Sequence, residues 1–460
     1  MKYLILILAV ITFLNCIENE KVIAEKKFVI TSEQEKFIDT LQYYSFKYFI
    51  NEINPQNGLV KDRSTKDSPS SIAAVGFAIP IWAIGAEKNW ITRDKAVELT
   101  YNLMNFLINS EQSMEPDATG YNGFYYHFLD MQTGKRIGKC ELSSIDTSWL
   151  LAGIRFARMY YDKENEKEKF IRETADSLTF RMNWDWWTKP ESEGFFGGAV
   201  TMGWHPELGF GNMSWTGFNE GHYLYILAAG SGYKNHKSAY ATWLKHYNWY
   251  SPYPGLDHAC FPALFAFQWS NCFIDYRNFY DEYMLEKGID YFENSRRATL
   301  SQQKYAIENP KNWTGYDSLT WGLTACDGPA DELQNLDKDI FKGYGERGPS
   351  YPFRGSLDDG TIAPTGSISS IPFAPEIVIP TIMNLKEKYG SKGLWDKYGF
   401  KDSFNPTLNW VDNDYLGIDQ GPIIIMIENY KTGFVWEYCM KDPVIQNGLK
   451  NLGFVNKNNL

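Results

Sequence analysis

The sequence predicts an all-α protein: a toroid of paired inner and outer helices, with a small β-hairpin and long loops over a central cavity. Three observations carry this. Apolar residues recur at helical spacing in about a dozen segments, and credible strands are few. No low-complexity linker, heptad or fixed repeat divides the chain, so many helices must close on one another. Loops at 188–216, 249–262 and 309–372 are long, rich in glycine and aromatics, and too aromatic to be disordered. They are expected to wall a cleft.

Taken in order, Lys2, the apolar run from Tyr3 to Leu14 and Cys16 read as an export signal over residues 1–16. The run is too short to span a bilayer as a mature helix. Cys16, followed by a polar stretch, predicts lipidation, although Phe13-Leu14-Asn15 departs from the usual Leu-x-small pattern; plain secretion is the alternative. The predicted location is periplasmic or on the outer-membrane or cell surface. Residues 17–31 read as a flexible tether and 32–460 as one domain. Helices are predicted from a capping pattern at Thr31 through the spacing Phe37, Leu41, Tyr44 and Tyr48. Further helices are predicted at 70–87, 92–109, 144–161, 166–187, 217–230, 236–248, 275–296, 297–308, 373–389 and 420–430. Residues 123–137, GFYYHFLDMQTGKRI, alternate around a Thr-Gly turn and predict a hairpin.

Composition narrows the chemistry. A net charge of −11 argues against nucleic acid or an anionic membrane surface as partner. There is no zinc-type Cys/His spacing, phosphate-binding glycine loop or dinucleotide fingerprint, and the six histidines form no HExxH. With Cys16 set aside, Cys140, Cys260, Cys272, Cys326 and Cys439 predict at most one or two disulfides. Aromatics make up 16% of the chain, which suits sugar-ring faces as well as core packing.

Two segments point to carbohydrate cleavage. Residues 215–229, WTGFNEGHYLYILAA, place Glu220 at the mouth of an apolar helix, crowded by Trp215, Phe218, His222 and Tyr223. Residues 415–430, YLGIDQGPIIIMIENY, place Asp419 at another. Glycosidic cleavage needs one protonated and one ionised carboxyl. Other candidates are Asp130 in the hairpin, Glu141, Asp146, Asp412 and Asp414. Each has a plain alternative: Asp146 favours a helix dipole, Glu141 is a loop acid, and Asp419 caps its helix. A helix N-terminus also stabilises the ionised form, so Glu220 as acid needs an apolar or acid-rich pocket, whereas Asp419 as base needs no such help. His127 and His205 are candidate sugar ligands or bases, and Arg63 a ligand for sugar hydroxyls, each with a structural hydrogen bond or ion pair as alternative.

Together 121–136, 140–153, 215–228, 269–277 (WSNCFIDYR), 320–329 (TWGLTACDGP) and 417–430 resemble glycoside hydrolase family 144, whose members carry the older label "glucoamylase". The resemblance runs from about residue 32 to 455. It implies an (α/α)6 toroid, and hydrolysis of β-1,2-glucan or its oligosaccharides with inversion. The catalytic carboxyls would then stand about 6.5–9.5 Å apart. It implies no metal or cofactor, and makes Glu220 and Asp419 the acids that matter most, with Glu141 and Asp146 nearby. In related enzymes the proton can travel through a substrate hydroxyl or a water chain. The family divides into internal and chain-end cutters; the expectation here is the internal mode, with sophorose release from a chain end as the alternative. Trp204, Trp215, Trp269 and Trp321 are expected to line subsites, with core packing the alternative for each. The expected oligomeric state is a monomer. Rival readings are another glucosidase, a non-catalytic glycan-binding lipoprotein, and a polysaccharide lyase, which would want basic groups around an anionic substrate.

Overall fold

The computed structural model describes residues 28–190, 197–330, 334–336, 339–353 and 355–457. The expected export signal, Cys16 and most of the tether lie outside them.

Helices dominate, and they fall into two kinds. Ile72–Glu87, Ser144–Tyr160, His222–Gly230, Phe265–Phe273, Pro364–Ile368 and Gly417–Lys431 are buried nearly all round. Their sequences explain it, since IAAVGFAIPIWAIGAE and GPIIIMI leave no polar face for water. Between them Arg93–Asn109, Glu166–Phe180, His236–Lys245, Tyr291–Glu308 and Pro375–Tyr389 bury one stripe only. Ser32–Phe46, with the predicted capping box at Thr31, packs on Gly417–Lys431.

The buried helices touch in succession. Ile72–Glu87 packs on Ser144–Tyr160, which packs on His222–Gly230. Ser270 Oγ accepts from the Tyr223 N–H, joining His222–Gly230 to Phe265–Phe273. Gln268 Nε2 donates to the Gly366 carbonyl, and Pro364–Ile368 packs on Gly417–Lys431, which returns to Ile72–Glu87. Glycine sets the closest approach: a Cβ on Gly76 would lie 2.1 Å from the Trp149 carbonyl oxygen, and one on Gly153 2.0 Å from that of Gly76.

The structure differs from the expected elements at several places. Pro364–Ile368 lies in a segment read as loop, and Phe265–Phe273 in one for which no element was expected. The single helix expected at 275–296 is a short Glu282–Lys287 helix, closed by Gly288 in the left-handed region, followed by the Tyr291–Glu308 helix. The expected hairpin is minimal, with Leu129 bridged to Arg136 around Thr133-Gly134. Its aromatic arm Phe124–Tyr126 instead joins an antiparallel five-stranded sheet with Gly120–Tyr121, Leu142–Ser143, Gly203–His205 and Gly209–Phe210. The five described cysteines are free thiols. Among the described residues, no helix is long and apolar enough to cross a membrane.

Candidate active site

The small sheet builds one wall of the site. Pairing Tyr125 with Ser143 and Tyr126 with Leu142 brings the next residue, His127, against Glu141, and the His127 N–H donates to the Glu141 carbonyl at 2.9 Å. Ser143 then caps the Ser144–Tyr160 helix by accepting from the Asp146 N–H, which turns Asp146 inward. The His127 ring therefore sits between two carboxylates, with Nδ1 2.8 Å from Glu141 Oε1 and Nε2 3.7 Å from Asp146 Oδ1. Burial alone would lower His127, but Asp146 and Glu141 outweigh it and lift its pKa to about 9. Burial raises Asp146, while the His127 contact outweighs burial at Glu141 and leaves it lowered. His127 is thus an imidazolium at neutral pH that holds Glu141 ionised.

A cavity of about 490 Å³ opens on this wall. His127, Glu141, Asp146, His205, Trp215, Glu220 and Trp269 all line it. The 188–216 and 309–372 loops wall it as expected, through His205, Met213 and Tyr344 among others; the 249–262 loop does not reach it.

Glu220 stands opposite the sheet. It precedes the His222–Gly230 helix, whose N-cap is Gly221, rather than lying one turn inside, so the helix dipole acts on it less than the sequence implied. An Asn219 Oδ1 bond from the Gly221 N–H makes the turn, and Phe218 is wedged against Phe267 and Tyr291. Burial pushes Glu220 up to about 8, with the Glu346 and Asp146 charges adding to it; its own backbone N–H works the other way. An apolar, acid-rich pocket is what a general acid at this position required.

Asp419 belongs to a second, adjoining group. It is the third residue of the Gly417–Lys431 helix and does not cap it. Segment 62–65 zips onto 414–417 through Gly417 N–H to Asp62 O and Ser64 N–H to Tyr415 O. This delivers Arg63 to an acid cluster, where its guanidinium bonds Asp327 at 2.8 Å and Asp62 at 3.3 Å. Asp402 joins from the neighbouring loop, its Oδ2 accepting the Asp327 N–H at 2.7 Å. Asp419 is pushed up to about 7, first by burial; neighbouring Asp402 works the other way, while Asp327, Asp62 and Asp412 raise it. The expectation that Asp419 needs no help to ionise is therefore corrected: burial among acids overrides the helix terminus. Asp412 is likewise pushed up to about 7 by burial and by Asp402 and Asp327.

The two groups adjoin. Asp62 acts electrostatically on both His127 and Asp419, and Ile418 and Tyr344 carry the cavity wall toward Asp419. The residues His127, Glu141 and Asp146, and also Asp327, Asp402 and Asp412, bring ligand-type atoms within 4.8 Å of one another. Both sets have internal partners, the imidazolium in one and Arg63 in the other.

Three expected site residues go elsewhere. Asp130 holds its own turn, accepting from the Gln132 and Thr133 backbone and the Thr133 hydroxyl, which keeps its pKa low. It lines a separate surface groove. Trp321 is core, its indole N–H bonded to Thr381 Oγ1 at 2.9 Å, and Trp204 is stacked on Tyr121 behind the sheet. Strand alternation explains Trp204, because its neighbour His205 takes the cavity face. Asp402, Tyr344 and Glu346 were not singled out from the sequence; the charged spacing of 402–419 was the only signal.

Residues 212–443, half of the chain, match the family described as "Putative glucoamylase". A "putative glucoamylase" structure from Bacteroides uniformis aligns with TM-score 0.80 at 30% identity, over 94% of this chain and 99% of its own. An endo-β-1,2-glucanase from Chitinophaga pinensis, solved with sophorotriose and glucose, aligns with TM-score 0.77 at 26% identity, over 93% and 99%. An exo β-1,2-glucooligosaccharide sophorohydrolase acting at the non-reducing end, from Parabacteroides distasonis, is 28% identical over 95% of this chain. The chain spans 60% of that relative's length. This chain belongs to the "Putative glucoamylase" family, the group its motifs identify as glycoside hydrolase family 144.

Proposed function

We propose that this chain hydrolyses β-1,2-glucosidic bonds in β-1,2-glucan or its oligosaccharides by an inverting two-carboxylate mechanism. One observation carries the reading: Glu220, raised to about 8, keeps its proton at neutral pH in the same cavity as ionised Glu141. Glu220 is the proton donor to the departing oxygen, directly or through a sugar hydroxyl. Asp419 is the base; it is only 5% exposed, so it acts through water from the Tyr344 side of the cavity. Trp215 and the partly exposed Trp269 offer faces to glucose rings, and His127 with Glu141 offers polar contacts to hydroxyls. The names of the Chitinophaga and Parabacteroides relatives support the linkage.

The architecture we favour is a single (α/α)6 domain over 32–460. The alternation of fully buried and half-buried helices, and the closed succession of contacts among the buried ones, support it. Internal cleavage is the favoured mode. The Parabacteroides relative favours chain-end release of sophorose as the second reading. The apolar run before Cys16 supports export with a lipid anchor, and the protein is proposed to act as a monomer.

The test is incubation of the purified mature protein with linear β-1,2-glucan, sophorose-series oligomers and starch, with products resolved by chromatography. Mixed-length β-1,2-oligomers establish the internal mode, and sophorose alone the chain-end mode. Cleavage of starch alone would restore the amylase reading, and no cleavage of any substrate would favour a glycan-binding protein.

A further inference from the structure

The acid cluster around Asp419 contains a pair of atoms that ordinary ionised carboxylates cannot satisfy. Asp402 Oδ1 and Asp419 Oδ2 are both enclosed and both lack a hydrogen-bond partner, as does Asp412 Oδ2 in the same cluster. Asp402 is 1% exposed, and its other oxygen is already committed to the Asp327 N–H. A carboxylate only accepts; two such oxygens become partners only when one carries a hydrogen. An unpaired buried carboxylate oxygen costs far more than one in water.

The backbone holds the two side chains together. The Gln420 amide donates to the Phe400 carbonyl at 2.9 Å, and the Asp402 N–H donates to the Asp414 carbonyl at 3.1 Å, so the 400–402 loop is tied to both ends of 414–420. The surrounding charges discourage two negative charges here. From the 62–65 segment come Asp62 and Arg63, from 327 Asp327, from 412–414 Asp412 and Asp414; Cys326, Tyr344 and the Arg347–Asp359 pair complete the titratable groups. Two cations act here and both are already spent, Arg63 on Asp327 and Asp62 and Arg347 on Asp359.

We propose that Asp402 is a positioning residue that keeps its proton at neutral pH and donates it, as an O–H···O⁻ hydrogen bond, to Asp419. The pair then carries one negative charge, held on Asp419, and both orphaned oxygens are satisfied at once. The bond fixes the rotamer of Asp419 and favours its ionised form, against the burial that opposes it. Its deeper burial, 1% exposed against 5% for Asp419, names Asp402 as the proton's holder; the Asp327 N–H on its other oxygen works the other way but leaves Oδ1 as the atom that carries the hydrogen. The direction agrees, since Asp402 is pushed well above the carboxylate range by burial and then by Asp419, whereas the bond from Asp402 lowers Asp419. The two groups titrate as a unit. The consequence for catalysis rests on Asp419 being the base; the proton itself does not.

Infrared difference spectroscopy on the full-length mature protein tests the proton without substrate. Glu220→Gln serves as background, because Glu220 is itself protonated near neutrality. Subtracting the spectrum of Glu220→Gln/Asp402→Asn is expected to leave a protonated-carboxyl band at neutral pH. A carboxylate pair of bands instead would overturn the proposal. Activity on β-1,2-glucan supplies the second measurement. Asp402→Asn keeps an N–H donor toward Asp419 and should hold the acidic limb of the pH profile close to wild type. Asp402→Ala, which removes the donor, should move that limb upward by one to two pH units and lower the rate near neutrality by about ten- to a hundredfold. An unmoved limb in a folded Asp402→Ala protein would refute the role; should that variant not fold, the infrared result decides alone. If wild type cleaves no β-1,2-glucan while the carboxyl band is present, the functional reading fails and the shared proton stands.

Discussion

The proton on Glu220 is the point at which the proposed chemistry is most exposed to test. Its pKa moves from 4.5 to about 8, chiefly through burial and secondarily through the charges of Glu346 and Asp146. With Asp419 at about 7, kcat/KM should rise as Asp419 ionises and fall as Glu220 loses its proton, giving a narrow optimum between the two. Glu220→Gln preserves shape and removes the transferable proton; kcat should fall about 10²–10⁴-fold, or about 3–5 kcal/mol of barrier. Glu346→Gln is the subtler change. Glu346 shares the exposed face of its strand with Tyr344, which lines the cavity, so it can be neutralised without reshaping the core. Removing one like charge lowers the Glu220 pKa, but burial remains, so the alkaline limb should move down by roughly one unit or less. The acidic limb, governed by Asp419, serves as internal control. Initial rates of product release from β-1,2-glucan, followed from about pH 5 to pH 10, measure both limbs. A Glu346→Gln profile with its alkaline limb unmoved or raised would refute the electrostatic account. A Glu220→Gln enzyme with near-normal kcat would refute Glu220 as the acid.

Further outcomes follow from the same geometry. Trp269→Ala should raise KM roughly tenfold or more by removing a cavity wall, whereas Trp321→Phe should leave KM unchanged and cost about 0.5–1.5 kcal/mol in urea unfolding through loss of the Thr381 bond. Arg347 and Asp359 are a fully buried pair, so Arg347→Met, which strands Asp359, should cost about 3–5 kcal/mol by the same assay. His222 is held neutral by burial, with its pKa lowered to about 3. Between its unfolded value near 6.5 and about 3, the unfolded chain binds the extra proton, so His222 should erode stability by about 1.4 kcal/mol per pH unit as pH falls. A His222→Gln protein should show a flatter acid limb in Tm against pH, and an equally steep one would assign acid sensitivity to other groups.

How far the sequence could be read depended on where the information lies. Helices with a long periodic stripe, such as Arg93–Asn109 and Pro375–Tyr389, were legible to within a few residues. Phe265–Phe273 and Pro364–Ile368 were not, because helices of nine and five residues buried on every side carry no stripe to detect. Glu220 stood out because Trp215, close to it in sequence, also lines its cavity, while Phe218 and His222 anchor the segment in the aromatic core. Trp204 and Trp321 misled for the opposite reason: a tryptophan beside glycine has the same local sequence whether it faces a cavity or the core. Asp402, Tyr344 and Glu346 reach the site on two-residue strands and turns within long loops, and only tertiary contacts such as the Arg347 bonds to Asp359 and the Lys342, Gly343 and Gly345 carbonyls fix where those loops go.

The site's electrostatics invert what helix termini alone would dictate. A helix N-terminus offers about half a positive charge and favours ionised acids, which would leave Glu220 and Asp419 equally deprotonated at pH 7. The fold separates them instead. Glu220 is set two residues before the start of its helix, buried near Glu346 and Asp146, and keeps its proton. Asp419 lies inside its helix's first turn, and burial among acids lifts it only to about 7, because Asp402 supplies a hydrogen bond that offsets part of that penalty. Two carboxyls of similar intrinsic acidity are thereby ordered in adjoining groups, Glu220 holding its proton to higher pH than Asp419, and that order is what hydrolysis of a glycosidic bond requires.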